Sequence, residues 1–408
     1  MDESEPMPTL RVVMVSLHTS PMASPGSADA GGMNVVELNT ALALGARGHQ
    51  VDLLTRRDEP TLPDVVELAP GVRVHNLSAG PPVSVAKSAQ EVLIEPFSDA
   101  MAQWWSLHGQ QVDIIHSHHW FSGVAALRVA RAAGVPHLQS YHSVAAPLGA
   151  PLAAGEQPES PGRPAGERLV AAESDRIVAV SQAEKATIIE RYGPPVDRIS
   201  VVRPGVDLEV FRPLGAHERH WAWDGCYLIF AARLQPLKGP DLAIRTLAEL
   251  PVGHRPRLVV AGQTSVDFSW YAQQLRDLAD ELQVSDEVLF IGSQDRPQLA
   301  KLLRSACVLL NPSLSETFGL INLEASASGI PVIATRTGGM TESVVDGTTG
   351  LLLDTRDPRD WAQALRRFTD DHELCARFGA AGHQFAASRG WPVVAAEIET
   401  VYRGEVAR

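Results

Sequence analysis

Short runs of β-branched and aliphatic residues recur along this chain, separated by longer amphipathic stretches, and the series begins twice. Residues 11–17 (RVVMVSL), 51–55, 72–77, 112–117 and 176–181 make up the first series, with helical patterns at 32–47 and 123–133 between them. After residue 205 the runs 227–232, 257–261, 288–291, 308–311 and 332–334 repeat the alternation. Continuous apolar strands joined by helical crossovers are buried on both faces, which requires parallel sheets covered by helices. Two series therefore predict an α/β chain of two Rossmann-like, doubly wound domains in tandem. The length agrees, because 408 residues exceed what one ordinary core supports. Pro204-Gly205-Val206-Asp207 is a turn signal after a strand-like run at 199–202 and marks the join. The expected units are 1–205, 206–390 and a helix over 391–408.

Composition narrows the function. A hydrophobic content of 45% excludes a disordered chain, and a net charge of −13 sets the overall field against general nucleic-acid binding. No apolar run approaches the roughly 18 residues that a membrane helix needs. Residues 1–9 are acidic and proline-bearing, unlike a secretory leader. Cys226, Cys307 and Cys375 lie far apart and match neither a disulfide framework nor a zinc spacing, which points to a reducing cytoplasm. Small molecules are the expected partners, with a homodimer left open. Residues 145–167, rich in Pro, Gly and Ala, read as a long loop, either a lid over a site or a solvated insertion.

Several segments could carry chemistry. The first strand runs into His18-Thr-Ser-Pro and then Gly26-Ser-Ala-Asp-Ala-Gly31-Gly32-Met33-Asn34, where a helix begins. A glycine pair there either brings backbone N–H groups to an anion or serves only as a tight turn. It is no Walker A loop and no good dinucleotide fingerprint. His116-Ser117-His118-His119-Trp120 and Tyr141-His142-Ser143 end strands, where open α/β sheets bind ligands, so with His18 they are expected to meet in one crevice. Their spacings match no usual zinc pattern.

In the second half, Arg233 and Lys238 stand five residues apart at a strand–helix junction, a spacing that can clamp a diphosphate without a metal. Only four of the 35 basic residues are lysines (Lys87, Lys185, Lys238 and Lys301), which gives each more weight. The next junction carries Asn311-Pro-Ser-Leu-Ser315-Glu316-Thr317-Phe318-Gly319-Leu320-Ile-Asn-Leu-Glu324. Glu316 precedes a helix and Glu324 lies inside it. One carboxylate then suits sugar hydroxyls and the other a ribose, with N–H groups from Thr317 onward facing phosphate. The alternative is an ordinary capped helix with two carboxylates. No Asp-x-Asp occurs, which argues against a metal-bridged sugar-nucleotide site.

Arg233 with Lys238, Glu316 with Glu324, Ser328-Gly-Ile-Pro-Val-Ile-Ala334 and Gly338-Gly339 together resemble the retaining GT-B glycosyltransferases of family 4. The stretch HTSP…GSADAGGMN resembles the mycothiol glycosyltransferases of that family, which move N-acetylglucosamine from UDP to D-inositol 3-phosphate. The resemblance implies two domains facing a cleft, with the terminal helix crossing back onto the first. It implies that Arg233 and Lys238 hold the donor diphosphate, Glu324 the ribose and Glu316 the hexose. Gly32, Gln294, Thr317, Phe318, Gly319 and Leu320 complete the donor side, and His142 lies near the transferred sugar. His18, Asn34, Lys87, His119, Ser143 and Arg163 are implied for the acceptor. No cofactor or metal is implied, and the donor nucleotide is UDP ahead of GDP. His119 stands where the family has tyrosine, Ser143 where it has threonine and Leu148 where a lysine is expected. Two other readings therefore stay open: a natural-product enzyme acting on an unphosphorylated cyclitol or a thiol, and a sugar-nucleotide-binding protein without turnover. A phosphorylase of the same architecture would need a pyridoxal-phosphate lysine, and the second half offers only Lys238 and Lys301.

Overall fold

The computed structural model describes residues 8–23, 31–146, 160–215, 218, 227–264 and 268–408. Eight strands form the first sheet: β1 (Arg11–Ser16), β2 (Gln50–Arg56), β3 (Val65–Ala69), β4 (Val72–Leu77), β5 (Ile114–His118), β6 (His137–Ser140), β7 (Arg176–Ala179) and β8 (Ile199–Val201). Their order is β3-β4-β2-β1-β5-β6-β7-β8, parallel except for the β3–β4 pair. The second sheet holds β9 (Tyr227–Ala231), β10 (Arg257–Ala261), β11 (Val288–Gly292), β12 (Val308–Asn311), β13 (Val332–Thr335) and β14 (Gly350–Leu353). It runs β11-β10-β9-β12-β13-β14, all parallel.

The apolar strands are buried on both faces because successive side chains point to opposite cores. Val12 and Met14 of β1 enter a core with the helices Gly32–Ala46 and Trp391–Val406. Val13 and Val15 enter the opposite core, with Ile94–His108 and His119–Ala133. Leu228 and Phe230 of β9 likewise face one core while Tyr227 and Ile229 face the other. The helix Trp391–Val406 inserts Trp391, Val394, Ile398 and Tyr402 among Leu10, Val12 and Met14, so its packing lies with the first sheet. The chain crosses between the domains twice, side by side: the Val206 N–H donates to the Arg389 carbonyl at 2.9 Å, and Val206 bridges Gly390.

Boundaries differ from the sequence expectation at several points. The strand expected at 112–117 is Ile114–His118, and the following helix begins at His119, four residues before the expected 123. The strand expected at 176–181 ends at Ala179, because Ser181 caps the next helix through the Glu184 N–H. β3 is a weakly buried antiparallel edge strand that the sequence expectation does not include. The expected loop 145–167 ends early, since Arg163–Glu173 is helical, started by Pro164 in its first turn. Residues 147–159, including Leu148, and 24–30, including Gly26, lie outside the described residues. Cys375 is a free thiol, whereas Cys307 is disulfide-bonded, which departs from the expectation that the spacing of the cysteines supports no disulfide framework. Among the described residues no helix is long and apolar enough to cross a membrane.

Candidate active site

Residues after β1, β5 and β6 in the first domain and after β9 and β12 in the second line one cavity of ≈ 720 Å³. It gathers His18, Gly32, Asn34, Lys87, His119, His142, Ser143 and Arg163 from one side with Arg233, Lys238, Glu316, Thr317, Phe318, Gly319 and Leu320 from the other. An added Cβ on Gly31 would stand 3.9 Å from Arg233 Nε, so the start of the first helix and the arginine meet across the interface.

On the second-domain side, Lys238 Nζ donates to Glu316 Oε1 at 2.6 Å, and Ser313 Oγ donates to the same oxygen at 3.2 Å. Two glycine contacts set this geometry. Gly239, with φ +69°, lies so close to the Pro312 carbonyl that a Cβ would sit 2.4 Å from it, which holds the Lys238 turn against the Glu316 loop. A Cβ on Gly339 would sit 2.0 Å from the Thr317 carbonyl oxygen, and the Gly339 N–H donates to the Glu316 carbonyl at 2.9 Å. The Gly338-Gly339 pair therefore allows backbone to lie directly on backbone beneath Glu316 and Thr317.

His142 takes φ +58°, a conformation non-glycine residues rarely adopt, and three contacts hold it there. Its Nε2 hydrogen-bonds His118 Nδ1 at 2.8 Å, its carbonyl accepts from Thr317 Oγ1 at 3.0 Å, and its ring stacks on His118. The support continues inward, since the His118 ring lies 4.4 Å from that of His116, whose nitrogens bond Tyr402 OH at 2.8 Å and Ser140 Oγ at 2.9 Å. Burial pushes His142 down to about 3, so at neutral pH it offers an uncharged imidazole.

The first-domain cations are not alike. Arg163 donates through Nε to Glu167 at 2.7 Å and through Nη2 to both the carbonyl and hydroxyl of Ser143 at 3.0 Å, so buried Glu167 balances its charge. The His18 and His119 rings lie tilted against each other with centroids 4.3 Å apart, and burial first, then neighbouring charges including Lys87 and Arg163, hold both well below the usual imidazole range. Among the described residues neither His119 nitrogen nor His18 Nδ1, all buried, has a hydrogen-bond partner. Asn34 is committed to its own loop: it donates to Thr19 Oγ1 and the Ser20 carbonyl and accepts from the Gly31 N–H.

Two expected donor residues stand apart from this lining. Gln294 donates to the Ile291 carbonyl at 2.9 Å, and Glu324, 2% exposed, is ion-paired with Arg296, which opposes the upward shift that burial imposes on it. Conversely, Arg191 and Phe268 line the cavity without belonging to any motif legible in the sequence, and Trp120 and Gln235 join it from within the 116–120 and 233–238 motifs without being among the expected site residues. Among the described residues no group of three or more His, Cys, Asp or Glu could hold a metal.

Residues 221–385 match the model for glycosyl transferases group 1, and residues 30–210 match that for glycosyltransferase family 4. The chain belongs to the family 4 GT-B glycosyltransferases. This glycosyltransferase is 38% identical to a D-inositol 3-phosphate glycosyltransferase of Streptomyces coelicolor, over 97% of its own chain and 92% of the relative. It is 39% identical to one from Thermobifida fusca, over 96% and 93%. Among solved structures, sucrose-phosphate synthase from Thermosynechococcus elongatus is similar with a TM-score of 0.88 at 26% identity, covering 98% of this chain and 99% of that one.

Proposed function

We propose that the glycosyltransferase moves N-acetylglucosamine from a UDP-sugar to D-inositol 3-phosphate with retention of configuration, in the cytoplasm and without a metal. The observation that carries this reading is the cavity itself, where Arg233, Lys238 and Glu316 face Lys87, Arg163 and the uncharged His142. Departure of a nucleoside diphosphate leaves negative charge on its terminal phosphate. Arg233 and Lys238 stabilise that charge, the role a metal would otherwise fill. Glu316 then turns from Lys238 to the sugar hydroxyls. The acceptor hydroxyl attacks the anomeric carbon on the face the phosphate leaves, the C–O bond to the phosphate breaks, and the hydroxyl proton passes to the departing phosphate oxygen. His142 contacts the sugar without adding charge beside a cationic transition state. The Lys87 ammonium receives the acceptor phosphate. The names of the Streptomyces and Thermobifida relatives support the acceptor assignment.

One observation favours a second reading, a phosphate-free cyclitol or thiol acceptor. Glu167 balances the charge of Arg163, and His18 and His119 are held uncharged, which leaves less positive charge than a phosphate monoester usually meets. Initial rates on D-inositol 3-phosphate, free inositol and a small thiol, each with UDP- and GDP-sugars and with excess EDTA, decide. Turnover of D-inositol 3-phosphate with a UDP-sugar, insensitive to EDTA and giving an α-linked product by NMR coupling constants, is expected. Turnover confined to a phosphate-free acceptor would overturn the leading acceptor, a β-linked product the retaining assignment, and strict metal dependence the metal-free donor site.

A further inference from the structure

The two domains also meet outside the cavity, at the start of the helix Gln182–Tyr192 in the first domain. The first N–H groups of a helix have no partner within it. Ser181 satisfies one, accepting from the Glu184 N–H at 2.9 Å. The next two are satisfied from the other domain: Glu342 Oε1 accepts from the Gln182 N–H at 2.7 Å and the Ala183 N–H at 3.3 Å. Its second oxygen accepts from Arg203 Nε at 2.6 Å, beside the first interdomain crossing. Ser181 Oγ in turn donates to the Thr317 carbonyl at 2.6 Å. A carboxylate at a helix N-terminus is further favoured by the helix dipole.

Glu342 is joined to the catalytic loop through its own short element. It belongs to the helix Met340–Ser343, whose leading residue Gly339 packs on Thr317 and donates to the Glu316 carbonyl. Thr317 Oγ1 donates to the His142 carbonyl. Fixing Glu342 on the 182–192 helix therefore fixes Glu316, Thr317 and His142 relative to one another, although Glu342 itself does not line the cavity. We propose that Glu342 is a positioning residue for the transfer: by capping a helix of the opposite domain, it docks the Glu316–Thr317 loop against His142 and aligns donor with acceptor. The inference rests on reading the cavity as the donor site, and it adds a role for a residue that touches neither substrate.

The test uses the full chain with Glu342→Ala, Glu342→Gln and Arg203→Ala. Glu342→Ala is expected to lower kcat by about tenfold, the factor equivalent to one strong cap interaction, with UDP affinity by calorimetry changed less than twofold. Its radius of gyration with UDP bound should exceed that of the parent. Glu342→Gln should fall between the two, since its amide oxygen still accepts the helix N–H groups, and this variant serves if the alanine variant fails to fold. Loss from Arg203→Ala should not add fully to loss from Glu342→Ala. Parental kcat and scattering in the Glu342 variants would overturn the proposal. So would a fall in UDP affinity matching the fall in kcat, which would mark a general structural defect. A parent that binds no nucleotide would instead refute the donor reading, and the ligand-free scattering of parent and variants would still judge the docking role.

Discussion

Lys238→Ala removes the ammonium that meets Glu316 at 2.6 Å, at a position where both side chains are 16% exposed. Glu316 then keeps the Ser313 hydroxyl at 3.2 Å, a weaker partner for a carboxylate that remains largely enclosed. The cost to folding should be small, because Lys238 ends a three-residue turn and the αL residue after it, Gly239, is untouched. The cost to turnover should be large. A preorganised donor aimed at developing charge is worth about 2.7–4 kcal/mol, which corresponds to a fall of about 10²–10³ in kcat. Lys238→Arg retains charge but cannot place a compact ammonium on Glu316, so about a tenfold loss is expected. Initial rates at saturating donor, thermal melting and UDP calorimetry separate these effects. A Lys238→Ala enzyme with kcat within threefold of the parent would refute the reasoning, since no other role of Lys238 depends on charge at the leaving group.

Lys87→Ala should raise the acceptor KM by about 10- to 100-fold, the range for a lost hydrogen bond to a charged group, while leaving UDP affinity unchanged. An unchanged KM on D-inositol 3-phosphate would remove Lys87 from the acceptor site. Gly339→Ala should destabilise by about 1–3 kcal/mol and weaken nucleotide binding, because its Cβ would sit 2.0 Å from the Thr317 oxygen; parental melting and UDP affinity would show that the loop can retreat freely. Burial holds His116, His137 and His142 each at about 3 against an ordinary 6.5. Between those values the unfolded chain binds more protons than the fold. Stability is therefore complete above about pH 6.5 and lost as pH falls, by up to about 1.4 kcal/mol per pH unit per histidine. A urea midpoint that stays constant from pH 7 to 5 would contradict this.

What the sequence reveals depends on how far apart the cooperating residues lie. Arg233, Lys238, Glu316 and Gly338-Gly339 are legible because each motif is local, and the strand alternation places every one at the end of a strand. The paired apolar faces of β1 and β9 are legible for the same reason, as a run of aliphatic residues has one economical burial. Long-range pairing is not encoded locally. Nothing near Glu342 indicates that it caps a helix starting 160 residues earlier. Nor does Glu324 announce Arg296, which encloses it away from the cavity lining, or Arg163 the buried Glu167 that offsets its charge. The His119 ring shows the limit from the other side: its position is legible at a strand end, but nothing local encodes its left-handed backbone or the lack of a partner for its nitrogens among the described residues.

The twin crossing at Val206 and Gly390 constrains how this molecule is made and how it can move. The first domain is assembled from two stretches of chain with the whole second domain between them, so its core stays open until residues 391–406 have been synthesised and have delivered Trp391, Ile398 and Tyr402. Until then Tyr402 cannot reach His116, and the buried histidine column behind His142 lacks its last support. The first domain therefore cannot complete its core before the whole of the second has been synthesised, despite the order of the sequence. In the finished protein, two adjacent tethers behave as a pair of pins on one door. Such a pair opposes a twist between the domains more than a swing about the line that joins them, and a swing alone keeps Glu316 on the same side of His142.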